Sequence, residues 1–422
     1  MKPATDLPQI AGLACLLCGR TYRPSQVDYV CPSHGREGIL DVRYDYEYVG
    51  RRLTPDGLRA DPDRTIWRYG PLLPVAEDAA TPPLDVGWTP LYSAPRLAAD
   101  LGLAEVWVKD DGRQPTASFK DRASAVAVVK AQEREAEIVS TASTGNAAAA
   151  LSGICASVGL PNVIFVPASA PEAKIAQLLI YGSTVMLVEG NYDQAFELCL
   201  EACDRFGWYN RNTGFNPYMT EGKKTAMLEL WEQLGGDLPD IVAVSVGDGC
   251  IIGGLHKGLK DLEALGWIDH APRLLGVQST GSSYLYEAWE QDEDVLTKPA
   301  VAADTIADSI SADLPRDRLK AMAAVRETGG AFVAVPDEEI LAAIPELARG
   351  SGVFAEPAAS AAYAGLAAAV RQGLVAPGER AAVISTGSGL KDVRSAMRAV
   401  DLVGGSAHRV APDLAAVEAA LS

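Results

Sequence analysis

Short apolar runs alternate with longer amphipathic segments from Gly87 onward. The apolar runs have the length of buried strands, and the segments of about 10–15 residues between them have helical spacing. The predicted strands are residues 106–109, 136–140, 163–167, 185–189, 241–246, 274–277 and 381–385. The predicted helices begin at about Phe119, at Asn146 (ending at about Val158), at Pro171 and at Tyr192. This alternation predicts βαβ units, an α/β fold and a mainly parallel sheet.

The regions of the chain differ in composition and in predicted secondary structure. Residues 1–50 contain potential metal ligands among short polar turns, and residues 51–86, rich in Pro, Asp and Arg, predict an irregular connector. Residues 87–400 carry the strand and helix pattern, and residues 401–422 are predicted to form a C-terminal helical tail. The apolar residues that share one helical face of this tail are Leu414, Val417 and Leu421.

The composition limits the partners and the location. With 422 residues, 48% of them hydrophobic, the chain can bury more core than one compact domain needs. The formal net charge of −18 argues against attraction to nucleic acids or anionic membranes. The apolar runs are too short to span a membrane and the first residues lack a signal-peptide pattern, so a cytoplasmic protein is expected. Seven scattered cysteines predict no disulfide scaffold.

Parallel α/β sheets bind ligands where strands end and loops lead into helices. The first such loop, residues 114–122, places Lys120 in the first turn of a predicted helix. The positive end of the helix dipole favours the neutral amine there, and this is the form that condenses with an aldehyde. The alternative is a surface lysine that pairs with Asp121.

Three further loops carry compatible chemistry. In Ser143-Thr144-Gly145-Asn146 the asparagine can donate to a phenolate-like oxygen, although an ordinary helix cap uses the same residue types. Gly247-Asp248-Gly249-Cys250-Ile251 exposes N–H groups to an anion at a helix N-terminus, with a plain strand-to-helix turn as the alternative. It lacks the P-loop lysine and the G-x-G-x-x-G spacing, which disfavours a nucleotide. After the last strand, Thr386 offers a hydroxyl that could bond a pyridine nitrogen without protonating it.

These loops occur in one order together with other short motifs. The motifs are Gly87-Trp88-Thr89-Pro90-Leu91, Ser118-Phe119-Lys120-Asp121, Ala142-Ser143-Thr144-Gly145-Asn146, Asn216-Pro217 with Glu221-Gly222-Lys223-Lys224-Thr225, Glu356-Pro357-Ala358, and Thr386-Gly387 with Gly389-Leu390-Lys391-Asp392. From roughly Gly87 to Asp392 the chain resembles the fold-type-II pyridoxal-phosphate enzymes, and within that group the threonine synthases. The resemblance implies a tryptophan-synthase-β-like α/β fold with parallel sheets in two subdomains, the smaller at roughly 125–215, and a homodimer.

The resemblance also implies roles for the residues of the four loops. Lys120 would hold pyridoxal 5′-phosphate as a Schiff base and later move protons, and Asn146 would contact the 3′ oxygen. The backbone from Gly247 to Ile251 would bind the cofactor phosphate, and Thr386 would face the pyridine nitrogen. The residues implied to bind the amino-acid substrate are Ser143, Thr144 and Asn146. The implied activity is that of a lyase, which converts O-phospho-L-homoserine and water into L-threonine and phosphate.

Three positions depart from the pattern of that family. Ala147 stands where a hydroxyl residue is common, Met219 where an arginine often contacts the substrate phosphate, and Ser388 where histidine is common. A buried phosphate needs donors, and the candidates are Arg211, Asn212, Thr213, Lys223 and Lys224. The departures leave an alternative open, a serine/threonine ammonia-lyase or a β-replacement enzyme of the cysteate-synthase type that acts on a small (phospho)hydroxy amino acid. The short tail after Asp392 argues against an allosteric deaminase.

The N-terminal cysteines form two knuckle-like pairs. Cys15-x2-Cys18 and Cys31-x2-His34 are 12 residues apart, and Gly19 allows a tight turn after the first pair. Three thiolates and one imidazole suit tetrahedral zinc, which predicts a small structural zinc ribbon. Some threonine synthases begin with a similar ribbon, and a ribbon that has lost its metal is the alternative. Residues 1–50 hold five Lys/Arg and six Asp/Glu, so no basic face for nucleic acid is implied.

Overall fold

Three sheets organise the computed structural model, which describes residues 1–143, 145–170 and 172–421. The strands are β1 (Ile10–Cys15), β2 (Thr21–Tyr22), β3 (Leu40–Tyr44), β4 (Leu91–Ser93), β5 (Glu105–Asp110), β6 (Val139–Ala142), β7 (Asn162–Pro167), β8 (Thr184–Val188), β9 (Tyr209–Asn210), β10 (Ile241–Ser245), β11 (Arg273–Ser279), β12 (Ala331–Val335) and β13 (Arg380–Ser385). The α-helices are α1 (Tyr46–Gly50), α2 (Pro55–Ala60), α3 (Pro95–Leu101), α4 (Lys120–Glu133), α5 (Asn146–Val158), α6 (Glu172–Ile180), α7 (Tyr192–Phe206), α8 (Tyr218–Gln233), α9 (Cys250–Ala264), α10 (Tyr284–Glu290), α11 (Arg318–Glu327), α12 (Asp337–Ser351), α13 (Pro357–Arg371), α14 (Val393–Leu402) and α15 (Leu414–Leu421).

The two larger sheets have the parallel order that the alternation of strands and helices predicts. The main sheet has the order β12-β11-β10-β13-β5-β4 and is parallel except for β4, which runs antiparallel to β5. The second sheet has the order β8-β7-β6-β9, and all its pairings are parallel. The third sheet, β2-β1-β3, is antiparallel and belongs to the N-terminal segment. The predicted α/β class is therefore confirmed.

Helices α4 and α8 lie in the interior, and most of their side chains are buried. They pack so closely that a Cβ added at Gly222 would lie 2.2 Å from the carbonyl oxygen of Arg122. Only glycine fits at this crossing. The contact fixes the first turn of α4, which carries Lys120, against α8.

A buried ion-pair network links α4 to the main sheet. The Arg122 guanidinium pairs with Asp111 (2.6 Å) and with Glu229 (2.5 Å), and Lys109 from β5 also pairs with Glu229 (2.7 Å). Burial alone raises the pKa of Glu229, but Arg122 and Lys109 outweigh it and lower the pKa to about 2. Removal of one partner would leave an unpaired buried charge, so the network holds the start of α4 in one place.

Most predicted elements are confirmed to within a few residues. The strand predicted at 136–140 is present but begins three residues later, at Val139–Ala142. Glu135 has a positive φ of 49°, and the N–H of Ala136 bonds back to the carbonyl of Ala131, so these residues close α4 instead. The helix predicted from Pro171 is described from Glu172 onward, because Pro171 lies outside the described residues.

Three strands of the two larger sheets and the C-terminal helix complete the fold beyond the predicted strands. Strands β4 and β9, of three and two residues, are too short to leave a hydrophobic pattern, and β12 has no counterpart in the predicted set. In the predicted tail the described helix is α15, which has no buried side chain. Across the described ranges, no helix has the length and apolarity of a membrane span.

Candidate active site

A cavity of about 470 Å³ lies at the carboxyl ends of β6 and β10, one strand from each parallel sheet. Three of the four predicted loops meet in its lining. They contribute Lys120, then Ser143 with Asn146, and the segment 245–251. This is the place where parallel α/β sheets bind small ligands, so we treat the cavity as the active site.

Lys120 is the first residue of α4 and is half-buried at the cavity. The carboxylate of Asp121 is not its partner, because it accepts hydrogen bonds from the N–H (2.7 Å) and the hydroxyl (2.5 Å) of Thr116. No ion pair joins Lys120 to Asp121, both of which the structure describes. The alternative of a surface lysine paired with its neighbour therefore loses its basis, and the amine is available to the cavity.

The backbone between β10 and α9 forms a cradle of N–H groups. The strand ends at Ser245 and the helix begins at Cys250. Gly249 has a φ of 87°, which favours glycine, and a Cβ at Gly247 would lie 2.8 Å from the Cα atom of Ile310. The two glycine positions thus admit no side chain, and the first residues of α9 line the cavity, where a helix N-terminus offers its free N–H groups to an anion.

The remaining side chains of the cradle are compatible with an anion. The carboxylate of Asp248 accepts the N–H of Arg316 (3.2 Å), and burial raises the pKa of Asp248. The Ser245 hydroxyl is buried and has no hydrogen-bond partner among the described residues. It offers one more donor, so the cradle fits the phosphate of pyridoxal phosphate.

Asn146 begins α5 and is held by a residue far away in sequence. Its Nδ2 donates to Glu356 Oε1 (2.7 Å) and to the Ser309 hydroxyl (3.3 Å). Glu356 is buried, and this burial raises the pKa of its carboxyl group. Glu356 belongs to one of the motifs that carry the resemblance, but its role could not be predicted, because only the fold brings residues 146 and 356 together. A second cavity of about 380 Å³ adjoins the first at Asn146.

The last loop lies against Lys120, although Thr386 itself is not part of the cavity lining. The carbonyl of Thr386 accepts the N–H of Phe119 (2.9 Å), and Ser118 forms a β-bridge with Gly387. Ser143 lines the cavity and accepts the N–H of Gly145 (3.2 Å).

Thr144, which the sequence analysis assigns to substrate binding, lies outside the described residues. The individual roles of Thr386, Ser143 and Asn146 stay predictions.

Within the part of the chain that the structure describes, two buried cations near the cavity, Arg211 and Lys223, form no ion pair with a carboxylate. Arg211 is 1% exposed and lines the cavity; its Nε donates to Ser124 (3.2 Å) and its Nη1 to the Thr213 hydroxyl (3.4 Å). The Nζ of Lys223 donates to the carbonyl of Met219 (3.1 Å) and to the same Thr213 hydroxyl (3.3 Å). All these partners are neutral. Arg211 Nη2 has no hydrogen-bond partner in the described part of the chain.

The surroundings of Arg211 and Lys223 disfavour their charged forms, and a bound anion would stabilise them. Burial lowers the pKa of Arg211 to about 10 and the pKa of Lys223 to about 8. A buried donor without a partner is costly. The Thr213 hydroxyl accepts from both cations, so its own proton is free to be donated to a ligand.

The other candidate donors for a phosphate are engaged elsewhere. Lys224 pairs with Glu221 and Asp261, both at 2.6 Å and fully buried. Asn212 lines the cavity, but its Nδ2, the only side-chain group that could donate to a phosphate, donates to Cys199 Sγ (3.3 Å), and its Oδ1 accepts two hydrogen bonds from the end of β6. Met219 is 1% exposed and packs in the core. Packing thus reduces the five candidates to Arg211, Thr213 and Lys223.

One wall of the cavity comes from a loop that no sequence pattern marks. Residues 308–314 and Arg316 line the cavity. The Arg316 guanidinium pairs with Asp193 (2.5 Å) and lies 4.7 Å from the ring centre of Phe196, so the loop is tied to α7 of the second sheet. The loop has neither strand nor helix periodicity, and only the fold brings it to the site.

The N-terminal sheet brings the predicted metal ligands together. Their ligand atoms all lie within 4.8 Å of one another, and the residues are Cys15, Cys18, Cys31 and His34. Each pair is followed by a glycine of positive φ, Gly19 (69°) and Gly35 (53°). Burial raises the pKa of the Cys31 thiol, but hydrogen bonds from Tyr22 and His34 outweigh it and lower the pKa to about 6. Donor set and spacing fit a tetrahedral zinc ion, which stays a prediction.

The amine of Lys120 and the cradle are the groups that a pyridoxal-phosphate enzyme needs. The chain belongs to the pyridoxal-phosphate dependent enzyme family, whose model matches residues 83–387. It is a pyridoxal-phosphate-dependent lyase, and the predicted cofactor is confirmed at this level.

Among curated proteins the chain is similar to threonine synthases. It is 37% identical over 387 residues to the threonine synthase of Methanocaldococcus jannaschii, which covers 91% of this chain and 94% of that protein. It is 38% identical over 381 residues to the threonine synthase of Methanosarcina acetivorans, covering 90% of this chain and 92% of that one. The resemblance drawn from the motifs is therefore confirmed.

Solved structures show the same fold. Threonine deaminase isoform 2 from Solanum lycopersicum matches with a TM-score of 0.64 at 23% identity, over 75% of this chain and 88% of that one. An L-serine ammonia-lyase from Rhizomucor miehei matches with a TM-score of 0.65 at 22% identity, over 74% and 97%. These likenesses confirm the fold-type-II architecture and carry no information on the substrate.

Proposed function

We propose that this chain is a threonine synthase, which converts O-phospho-L-homoserine and water into L-threonine and phosphate. The similarity to threonine synthases along about nine-tenths of the chain supports this assignment. The observation that carries it is a pair of buried cations without an ion-pair partner among the described residues, Arg211 in the cavity lining and Lys223 behind Thr213. A phosphorylated substrate supplies the missing counter-charge. Serine and threonine, the substrates of the alternative ammonia-lyase, bring only their α-carboxylate and no phosphate to compensate the two cations.

Lys120 is the group assigned to proton transfer. When bound, pyridoxal phosphate supplies an electron-withdrawing ring that allows a proton to leave the carbon next to the amino group of the substrate. The Lys120 amine takes the α proton and returns protons in the later steps, and its place at the first position of α4 holds it at the cavity. The cradle at 247–251 holds the phosphate of the cofactor, which keeps Arg211 free for the phosphate of the substrate.

Arg211 and Thr213 are assigned to the phosphate that leaves the γ carbon. Arg211 Nη2 and the Thr213 hydroxyl donate to its oxygens, and Lys223 adds positive charge from behind Thr213. Negative charge grows on the bridging oxygen as the carbon–oxygen bond breaks. The two cations therefore stabilise the transition state more than the bound substrate, which raises the rate and not only the affinity.

A substrate panel tests the assignment. The protein with its cofactor is given O-phospho-L-homoserine, L-threonine or L-serine, and phosphate, threonine and keto acid are measured. We expect phosphate and threonine in equal amounts from the first compound and little keto acid from the other two. Keto acid from threonine or serine without phosphate release from the phosphorylated compound would reject the proposal in favour of the ammonia-lyase.

Variants of Arg211 test whether this residue binds the phosphate of the substrate or the phosphate of the cofactor. Loss of one charged donor costs about 1.5–3 kcal/mol, so Arg211→Met should raise KM for O-phospho-L-homoserine by about tenfold to a hundredfold. The affinity for pyridoxal phosphate should stay within about twofold, and Arg211→Lys should recover part of the loss. The exposed Arg205 of α7 supplies the matched control, Arg205→Met. A weaker affinity for pyridoxal phosphate with unchanged KM would assign Arg211 to the cofactor instead.

A further inference from the structure

The turn that carries two of the metal ligands contacts both sides of the active-site cavity. Within residues 31–38, the Arg36 guanidinium pairs with Glu197 of α7, and the Glu37 carboxylate pairs with Arg318 at the start of α11. Helix α7 begins at the cavity, and Arg318 follows directly after the loop that forms one of its walls. Two adjacent residues of the ribbon thus reach two separate parts of the catalytic region.

On the α11 side, the contact leads to the cofactor cradle. Arg318 is 5% exposed and also donates to two backbone carbonyls (2.8 and 3.2 Å), so its position is tightly defined. The N–H of the preceding residue, Asp317, donates to the carbonyl of Asp248 in the cradle (2.8 Å). A shift of Glu37 therefore acts through Arg318 on the backbone that touches the phosphate site.

On the other side, the ribbon supports the segment that carries Arg211. The Tyr29 hydroxyl accepts the N–H of Asn210 (3.0 Å). The Tyr29 ring lies 5.9 Å from the ring of Tyr209 and 5.3 Å from the ring of Phe215. This contact is largely buried and involves no residue of the turn at 31–38.

The turn itself has little besides the metal ligands to hold it. Residues 32–37 are all exposed, so no apolar burial stabilises their conformation. Backbone hydrogen bonds from Gly35 to Cys31 (2.9 Å) and from Gly38 to Gly35 (3.0 Å) close the turn, but exposed bonds of this kind open easily. A metal that joins this turn to the first knuckle would fix the position of Arg36 and Glu37.

We propose that the metal-binding turn positions the active-site cavity through Arg36 and Glu37. With a zinc ion on the four ligands, these side chains hold α7 and the start of α11 at the spacing that shapes the cofactor cradle. Glu37 is then a positioning residue that acts through Arg318. The proposal concerns the affinity for the cofactor, so its outcome does not depend on which amino acid is the substrate.

Two variants and a control test the link. Cys18→Ser removes an exposed ligand and is expected to lower the zinc content. Glu37→Gln leaves the ligands intact but removes the charge that pairs with Arg318. Glu339→Gln is the control for loss of a carboxylate of similar exposure, because Glu339 also pairs with an arginine, Arg371, which lies at the surface and far from the turn in sequence. Zinc is measured by atomic emission, and the affinity of the apo-protein for pyridoxal phosphate is measured by absorbance titration. Deuterium uptake is followed in peptides that cover residues 308–318.

We expect Glu37→Gln to keep the zinc content of the wild type but to bind pyridoxal phosphate on the order of fivefold more weakly. Cys18→Ser and chelator-stripped wild type should lose at least as much affinity, and residues 308–318 should exchange faster in all three. The double variant Cys18→Ser/Glu37→Gln should bind pyridoxal phosphate no more weakly than Cys18→Ser alone, because both changes interrupt the same chain of contacts. The control should match the wild type.

Three results would overturn the proposal. The first is zinc-free protein that binds pyridoxal phosphate as tightly, and exchanges as slowly, as the wild type. The second is a Glu37→Gln variant that is indistinguishable from Glu339→Gln. The third is wild-type protein that contains no metal after growth with added zinc, since the turn would then form without an ion.

Discussion

Replacement of Gly222 by alanine would put a methyl carbon 2.2 Å from the carbonyl oxygen of Arg122 and 2.7 Å from its carbonyl carbon. Both are backbone atoms of α4, so no side-chain rotation relieves the contact, and the helices must separate by about 1.2 Å to reach an ordinary distance of 3.4 Å. Overpacking of this kind costs about 1–3 kcal/mol, and the helix preference of alanine returns up to about 1 kcal/mol. With an unfolding entropy of about 2.1 cal/mol/K per residue, Tm should fall by only about 1–2 °C.

The larger effect of Gly222→Ala should fall on catalysis, because Lys120 lies in the same turn of α4 as Arg122. A displacement near 1 Å of a reacting group can cost about a hundredfold in rate. Phosphate release from O-phospho-L-homoserine and Tm are measured for this variant and for Gly70→Ala, whose added methyl group would meet nothing within 4 Å. A Gly222→Ala variant with wild-type turnover would refute the claim that this crossing positions Lys120.

Three further predictions follow from single residues. Borohydride should fix the cofactor to Lys120, and Lys120→Ala should lose turnover with little change in Tm; a label on another lysine in the mass spectrum would contradict the assignment. Because burial lowers the pKa of Lys223 to about 8, a rise from pH 7 to 9 takes this side chain from about nine-tenths to about one-tenth charged. KM for O-phospho-L-homoserine should therefore rise several-fold over this range in the wild type and stay flat in Lys223→Met, whereas parallel profiles would exclude Lys223. Cys15→Ser should contain less zinc than the wild type, and equal zinc content in both would reject the metal site.

The parts of the site that could be predicted from sequence are those with local signals. Helix α5 begins at Asn146 and ends at Val158, as predicted, because a loop of small residues leads directly into an alanine-rich helix. The cradle at 247–251 follows from the end of a strand and the start of a helix, whatever packs around them. Lys120 at the first position of α4 is a prediction of the same kind.

The parts that could not be predicted depend on long-range packing. Lys223 and Lys224 are adjacent and identical in type, yet Lys224 is neutralised by Glu221 and Asp261, whereas Lys223 faces neutral partners. Nothing in the sequence separates the two. The bond from Asn146 to Glu356 likewise joins residues 210 positions apart, and the wall at 308–316 has no periodicity to mark it.

Because Arg211 and Lys223 are buried, the electrostatic potential that a phosphorylated substrate meets outside the protein differs in sign from the potential that it meets at the site. Outside, a chain of net charge −18 repels a phosphorylated molecule, and dissolved ions weaken this repulsion beyond a Debye length of about 8 Å at physiological ionic strength. Inside, the two cations are shielded from dissolved ions by the protein around them. Added salt should therefore speed the arrival of a phosphorylated substrate without weakening its binding, the opposite of the response of enzymes that attract anions with basic surface patches.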